Sequence, residues 1–283
     1  MRIYLNILRR FAAKVNNKVF FVYQLLLSRL FSKRKTKILF SNKQDWEGSI
    51  KKGFQFAPFE IKFGDLPAEQ IRNFDLVMPL TIPDLKYLNG KRDLIKNNPI
   101  PIPSIEAILL CDDKYSLNKW LVGNGYERFV PKMGGEQTFP YILKKKIDEW
   151  GANTHIVLNA QQEQKLAGII GHPDYFTQAL IAGPTEYATH IFIKDQKIVC
   201  SINIKYAFET DEPIKGKDKV IFEEICGCPY LDLFSSILVS IGFEGVCCFN
   251  YKVYDNRPFI IEINPRVGGS LCPYLFSFVR RVS

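Results

Sequence analysis

The residues best suited to chemistry in this 283-residue chain lie near its C-terminal end. Residues 259–264 are predicted as a strand that breaks at Pro265 into a glycine-rich turn. Side chains alternate across a strand, so Glu262 and Asn264 face one side together with Ile260. A carboxylate and an amide oxygen at the end of an apolar strand are typical ligands of Mg²⁺. Such residues can also simply start a turn, so this stretch alone leaves both interpretations open.

The preceding stretch adds a third oxygen ligand. Residues 245–254 are predicted as a strand, joined to the next one by a turn. If the hairpin is centred on Asn256, Asn250 lies directly opposite Glu262, with its side chain on the same face. Three oxygen ligands for a divalent cation would then meet on that face.

This hairpin resembles the C-terminal signature of the ATP-grasp superfamily, in which an acidic residue, a glutamate and an asparagine hold magnesium on ATP. Asn-Pro-Arg at 264–266 and Gly-Gly-Ser at 268–270 resemble its carboxylate–amine ligase branch. The resemblance implies that Asn250, Glu262 and Asn264 bind one or two Mg²⁺ ions, for which Mn²⁺ can substitute. The chain departs from the family at Asn250, where an acidic residue is usual, and a neutral ligand weakens the charge of the site.

Two lysines gain a role from the same resemblance, which covers residues 112–283. Lys114 follows the start of a helix predicted over 112–123, and Lys144 ends a strand predicted over 139–144. By itself, a lysine in the first turn of a helix is usually just solvated. In the family, lysines at these places hold the ATP phosphates, a task that suits a compact ammonium charge.

The stretch 175–187 resembles the strand between the two lobes of the ATP-grasp core, where the adenine binds. Backbone groups of residues 178–181 would face the adenine edge, and Glu186 would hold the ribose hydroxyls. Here Gln178 replaces the usual glutamate, and Thr185 adds one residue after Gly-Pro. The implied nucleotide-binding residues are therefore Lys114, Lys144, Gln178, Ala179, Leu180, Ile181 and Glu186.

The activity implied by the resemblance is ATP-dependent formation of a carbon–nitrogen bond through an acyl phosphate. The implied catalytic residues are Arg266, which would hold the charge of the acyl phosphate, and Lys205, near the γ-phosphate. The implied partners are a small-molecule or sugar-linked carboxylate and an amine. Two alternatives stay open: an ATP-grasp phosphotransferase, and a nucleotide-binding module with lost chemistry, for which the neutral Asn250 argues.

The elements that must position these residues divide the chain into three parts. Residues 1–36 form a basic amphipathic segment, and residues 37–111 alternate strands with helices, which predicts a small α/β domain. The resemblance implies a two-lobed ATP-grasp core over 112–283, with α+β lobes at about 112–180 and 181–283 clamping ATP. The predicted fold class is therefore α/β. The strands predicted in the first domain are residues 37–40, 59–63 and 74–80.

Charge is concentrated at the beginning of the chain. Of the 38 Lys and Arg, eleven lie in the first 44 residues, which contain no Asp or Glu. Residues 19–31 are mostly apolar but too short to span a bilayer, which takes roughly 20 residues. The segment either lies on an anionic membrane surface or packs on its own domain with solvated charges. Nothing after residue 44 supports nucleic acid as a partner.

Seven cysteines are scattered, mostly within apolar runs, as is typical of a reducing compartment. No cleavable secretory signal is evident. We therefore predict a cytoplasmic protein, working at the inner face of the membrane if the basic segment binds lipid. For that case we hypothesise substrates such as uronic acids in the synthesis of cell-surface polysaccharides.

Overall fold

The protein is described by a computed structural model over residues 2–31, 35–135 and 138–283. It begins with a helix, α1 (Arg2–Phe31), which is 30 residues long. The helix takes up most of the basic amphipathic segment predicted over residues 1–36 and begins well before the apolar run at 19–31. Among the helices of the described residues, none combines the length and the apolar character that a bilayer span requires.

The next part is a three-stranded parallel sheet with helices around it, as the sequence predicted. The central strand pairs with both others. The helix after the third strand begins with a capping box between Thr81 and Asp84, which satisfies its first free N–H groups. The elements are β1 (Thr36–Phe40), α2 (Gln44–Phe54), β2 (Phe59–Phe63), α3 (Ala68–Ile71), β3 (Leu76–Met78), α4 (Ile82–Asn89) and α5 (Ile105–Asp112).

The smaller lobe is an antiparallel three-stranded sheet in the order β5-β4-β6. Its elements are α6 (Lys114–Gly123), β4 (Tyr141–Lys145), β5 (His155–Val157), α7 (Ala160–Lys165) and β6 (Tyr175–Ala179). Asp113 caps α6 by accepting the backbone N–H groups of Tyr115 and Ser116. The predicted start of this helix at Asp112 is wrong, because Asp112 is the last residue of α5. The cap fixes Lys114 as the first helical residue.

The larger lobe is an antiparallel five-stranded sheet in the order β11-β10-β7-β8-β9. Its elements are β7 (Thr185–Lys194), β8 (Lys197–Phe208), β9 (Val220–Cys226), α8 (Leu231–Ile241), β10 (Gly245–Tyr254), β11 (Arg257–Asn264) and α9 (Phe276–Val279). The single strand predicted over 175–187 is wrong. Its two halves belong to different sheets, β6 and β7, because Gly183 has φ of 131° and Pro184 has no N–H for a ladder. The chain therefore passes from one lobe to the other over residues 180–184.

The β10–β11 hairpin places Asn250 opposite Glu262, as predicted, but the predicted centre of the hairpin at Asn256 is wrong, because Tyr254 pairs with Arg257 next to the turn. Its turn is Asp255-Asn256, both with positive φ, as a two-residue hairpin turn requires. The prediction that Ile260 faces the same side as Glu262 is wrong. A bulge interrupts the ladder between the residue pairs that contain Glu262 and Ile260. Ile260 is consequently buried in the core, whereas Ile261 faces the same cavity as Glu262.

The hydrophobic core lies on both faces of the large sheet. On one face, Phe40 of β1 and Phe54 of α2 share a cluster with Phe192 of β7. On the other face, Phe234 of α8 stacks on Phe249 of β10, with ring centroids 4.3 Å apart. The first cluster packs the N-terminal α/β domain directly on the larger lobe, and this packing brings α2 to the edge of the space between the lobes.

Candidate active site

A cavity of about 380 Å³ lies between the small and the large sheet. Its walls come from β4 and β6 on one side and from β7, β8, β10 and β11 on the other, with α2 contributing Trp46. Eleven of the twelve residues predicted as site residues line it. These are Lys114, Lys144, Gln178, Ala179, Leu180, Ile181, Glu186, Asn250, Glu262, Asn264 and Arg266.

Glu262 is the centre of the polar contacts in the cavity. Its Oε1 accepts hydrogen bonds from the side-chain amides of Asn250 at 2.6 Å and Asn264 at 2.9 Å. Its Oε2 lies 3.2 Å from the Lys114 ammonium. Burial alone would raise the pKa of Glu262, but the Lys114 charge and the two amide donors together lower that pKa to about 2. The carboxylate is therefore ionised at every pH at which the protein would work.

The donor set around Glu262 fits a hard divalent cation. It consists of one carboxylate and two amides, and Mg²⁺ in nucleotide sites is usually held by one or two carboxylates plus phosphate oxygens. Within the described residues, no cluster of three or more His, Cys, Asp or Glu could hold a metal ion alone. A metal here would depend on the amide oxygens of Asn250 and Asn264 and on oxygens from a bound ligand.

Two buried lysines point into the cavity from the smaller lobe. Lys114 donates to the backbone carbonyl of Asp148 at 2.6 Å as well as facing Glu262. Lys144 is only 5% exposed and donates to Gln178 Oε1 at 3.0 Å. Burial, together with the nearby charge of Lys114, lowers the pKa of Lys144 to about 8. A negative ligand would therefore be attracted by a cation that has little water to shield it.

The segment between the lobes is tied to the hairpin by a lysine that the sequence analysis did not single out. Lys252 is 4% exposed and donates to the carbonyls of Ile181 at 2.9 Å and Gly183 at 3.0 Å. Leu180 and Ile181 line the cavity beside it. The lysine holds the crossing between the sheets in place, and strand alternation from Asn250 was the signal that could have identified it.

A second unpredicted lysine, Lys215, lines the cavity, whereas the predicted Lys205 does not. Lys215 lies 3.2 Å from Asn250 Oδ1 and 3.8 Å from Glu186 Oε1, and its ammonium lies 4.2 Å from the centre of the Tyr206 ring. Lys205 precedes Tyr206 on β8 and is on the opposite face of the sheet, next to Glu224 of β9. Sequence reasoning missed Lys215 because it lies in the irregular segment between β8 and β9.

Arg266 occupies the end of the cavity nearest the N-terminal domain. Its guanidinium donates to Glu149 Oε1 at 2.7 Å and lies 5.0 Å from the centre of the Trp46 ring. Trp150 meets Trp46 edge to face at 6.5 Å. The backbone of Gly269 passes beside the two tryptophans, and a Cβ there would lie 3.0 Å from Trp150 and 3.2 Å from Trp46. This end can therefore hold an anionic group beside a guanidinium and aromatic surfaces.

Comparison with known proteins supports the fold and leaves the chemistry open. No family model matches the sequence. An uncharacterized protein of Mycoplasma genitalium is 26% identical over 192 residues, which cover 63% of this chain. The match spans 66% of that protein, just under two thirds of its length.

Solved structures match most of the chain. D-alanine–D-alanine ligase from Bacillus anthracis superposes with a TM-score of 0.55 at 14% identity, covering 88% of this chain and 98% of that one. The complex of that ligase with ATP superposes with a TM-score of 0.53, also at 14% identity, covering 83% of this chain and 87% of that one. Phosphoribosylamine–glycine ligase from Thermotoga maritima gives 0.61 at 14% identity, with 84% and 70% covered. These neighbours are ATP-dependent carboxylate–amine ligases. The chain therefore has the ATP-grasp fold, as its C-terminal hairpin predicted.

Proposed function

We propose that the protein is an ATP-dependent ligase that joins a carboxylate to an amine through an acyl phosphate. The observation that carries the proposal is the cavity between the lobes, where an ionised glutamate and two amides meet a set of buried or half-buried cations. The cations are Lys114, Lys144, Lys215, Lys252 and Arg266. Such a site has the charges needed for phosphoryl transfer, which depends on positioning and electrostatic stabilisation rather than on a protein nucleophile.

Each part of the cavity has a role in this proposal. A Mg²⁺ or Mn²⁺ ion would be held by Glu262, Asn250 and Asn264, and would neutralise the charge of the ATP phosphates. Lys114 and Lys144 bind phosphate oxygens. The proposed ATP contacts also include Gln178, Ala179, Leu180, Ile181 and Glu186.

The reaction takes two steps. A carboxylate oxygen of the acid attacks the γ-phosphorus, the bond to the β-phosphate oxygen breaks, and ADP leaves. The amine nitrogen then attacks the acyl carbon, the carbon–oxygen bond breaks, phosphate leaves, and the surplus proton on nitrogen passes to water. Arg266 would hold the negative oxygens of the acyl phosphate with its planar fork of donors.

The test is ATP turnover by the full chain with a panel of carboxylic acids, including uronic acids, with and without amines. We expect ADP formation to require one class of acid. Release of free phosphate together with formation of an amide product should also require an amine. Hydroxylamine should trap the acyl phosphate as a hydroxamate. A phosphorylated acceptor as the final product would identify a phosphotransferase instead.

The second candidate function, a nucleotide-binding module without chemistry, is favoured by the neutral side chain at Asn250. In that case ATP would raise the melting temperature, but no acid in the panel would cause ADP formation. The two functions are therefore separated by measuring thermal stability and ADP in the same samples.

We expect Asn250→Asp to make the protein depend on a metal ion for stability. Asn250 Nδ2 is 2.6 Å from Glu262 Oε1, so the variant would place two carboxylates in contact. Without metal its melting temperature should fall by about 2–4 °C, which corresponds to ~1 kcal/mol in a chain of this size. Mg²⁺ should raise that temperature more in the variant than in the wild type, as followed by calorimetry.

The control for this change is Asn97→Asp, which alters an exposed asparagine outside the cavity. It should leave both the melting temperature and its response to Mg²⁺ unchanged. If Asn250→Asp and the wild type have the same melting temperature and the same response to Mg²⁺, the result would argue against Asn250 as a metal ligand.

Nucleotide affinity should weaken as the pH rises above 8. The pKa of Lys144 is lowered to about 8, so its ammonium loses its proton between pH 8 and 9 while ordinary lysines keep theirs. The dissociation constant of ATP should rise by up to about tenfold per pH unit there, as measured by titration calorimetry. Lys144→Arg, which stays charged, should show a flatter profile, and identical profiles for the two proteins would exclude Lys144 as the titrating group.

A further inference from the structure

The outward face of α1 carries an apolar stripe. Nine apolar side chains of this helix are between 45% and 75% exposed. Residues spaced three or four apart lie on one face of a helix, and the spacing of this set follows that rule over most of its length. The central members of the stripe are Phe11, Val15, Val19, Val22, Leu26 and Leu30.

The opposite face of α1 is fixed to the larger lobe. Asn17 accepts a hydrogen bond from the backbone N–H of Ile225 at 2.8 Å and donates to the carbonyl of Glu223 at 3.0 Å. These bonds cover the free edge of β9. Nearer the C-terminal end of the helix, Phe21 packs on Phe276 with ring centroids 5.3 Å apart. Because this face is bonded to the sheet, the helix cannot rotate to bury the stripe.

The helix carries only positive charge. Its exposed cations are Arg9, Arg10, Lys14, Lys18 and Arg29. The first 44 residues contain no Asp or Glu that could neutralise them. An apolar stripe accompanied by cations alone is complementary to a surface that is apolar within and negative at its boundary.

Charge also decides against a second copy of the chain as the occupant. Two of these helices packed stripe to stripe would bring ten cations together without a single acid from either helix. Like charges close together destabilise a contact. A lipid surface with anionic headgroups does not meet this obstacle.

We propose that α1 lies in the plane of an anionic membrane interface, with its apolar stripe among the upper acyl chains. The flanking cations contact the lipid phosphates, and the bonds to β9 hold the ATP-grasp core against the surface. Helices of this kind bind in proportion to buried apolar area plus attraction to anionic lipid. The inference is independent of the proposed ligase activity, since binding requires no nucleotide.

The test is flotation of the full chain with vesicles of phosphatidylcholine, and with vesicles of equal parts phosphatidylcholine and phosphatidylglycerol. We expect binding to the mixed vesicles. A stripe variant combining Phe11→Gln, Val19→Gln and Leu26→Gln should lose at least about a hundredfold in binding. Removing Lys14 and Lys18 by substitution with glutamine should cost about fivefold for each cation on mixed vesicles.

The matched control changes three exposed apolar residues outside α1, in the combination Leu109→Gln, Val122→Gln and Tyr254→Gln. It should float like the wild type. All these side chains are at least 45% exposed, so each variant should keep the wild-type melting temperature. Absence of wild-type flotation, or equal flotation of the stripe variant, would overturn the proposal. So would a wild-type dimer in light scattering that the stripe variant dissociates without any lipid binding.

Discussion

Glu262→Gln is expected to lower ATP turnover about a thousandfold while leaving the fold intact. Glutamine has nearly the same shape and can keep one oxygen toward the amides of Asn250 and Asn264, but it removes the negative charge that faces Lys114 at 3.2 Å. The loss of a metal-holding carboxylate is worth several kcal/mol, and each ~1.4 kcal/mol is tenfold in rate. The measurement is steady-state ADP formation with the acid identified in the panel.

The control for this variant is Glu60→Gln, an exposed carboxylate in a strand of the N-terminal domain. It should retain full turnover. Higher Mg²⁺ should restore part of the activity of Glu262→Gln if the charge serves to hold the ion. Turnover by Glu262→Gln at the wild-type rate would remove the basis of the proposed chemistry.

The hairpin that carries this chemistry could be predicted from the sequence, because its two strands and the turn between them are adjacent in the chain. The turn at Asp255-Asn256 sets the register next to it, in which Tyr251 pairs with Ile260 and Asn250 would face Ile261. The bulge shifts this register by one residue and so sets Asn250 opposite Glu262. The bulge at Ile261 was not accessible, since an inserted residue leaves the composition of a strand unchanged. Its effect is to send Ile260 into the core while the polar residues after it keep facing the cavity.

The cavity residues that come from distant segments of the chain could not be predicted from the sequence in the same way. Lys215 lies in the irregular segment between β8 and β9, where no periodicity specifies the direction of a side chain. Trp46 reaches the cavity only because the N-terminal domain packs on the larger lobe through one shared core. The family resemblance implied Lys205 as a residue near the γ-phosphate, whereas alternation along β8 places Lys205 on the face of the sheet away from the cavity.

The structure also changes the interpretation of the N-terminal segment. The sequence left open whether it binds membrane or packs on its own domain, and α1 packs on the edge of the large sheet. Packing does not exclude lipid binding, because the docked face and the apolar stripe are different faces of the same helix. The basic charge of the segment could be predicted from its composition. Which of its side chains are exposed to a partner follows only from the orientation of the helix on the sheet.

Arg266→Met is expected to lower kcat about a hundredfold to a thousandfold while ATP affinity changes little. The guanidinium lies beside Trp46 and is oriented by Glu149 at 2.7 Å. This end of the cavity is away from residues 180–184, which connect the two lobes. Its proposed partner is the negative charge that develops on the acyl phosphate, which is absent when ATP alone is bound. Removing one such preorganised donor typically costs two to three orders of magnitude in rate, on the order of 3–4 kcal/mol.

Arg266→Lys tests whether charge alone is sufficient. Lysine keeps the charge but loses both the planar fork and the stacking on Trp46, so it should recover only a small part of the lost rate. Arg128→Met, at an exposed position outside the cavity, is the matched control and should leave kcat unchanged. Turnover and ATP binding are measured separately, by steady-state kinetics and by calorimetry. A large loss of ATP affinity with an unchanged kcat would assign Arg266 to nucleotide binding and contradict its role at the acyl phosphate.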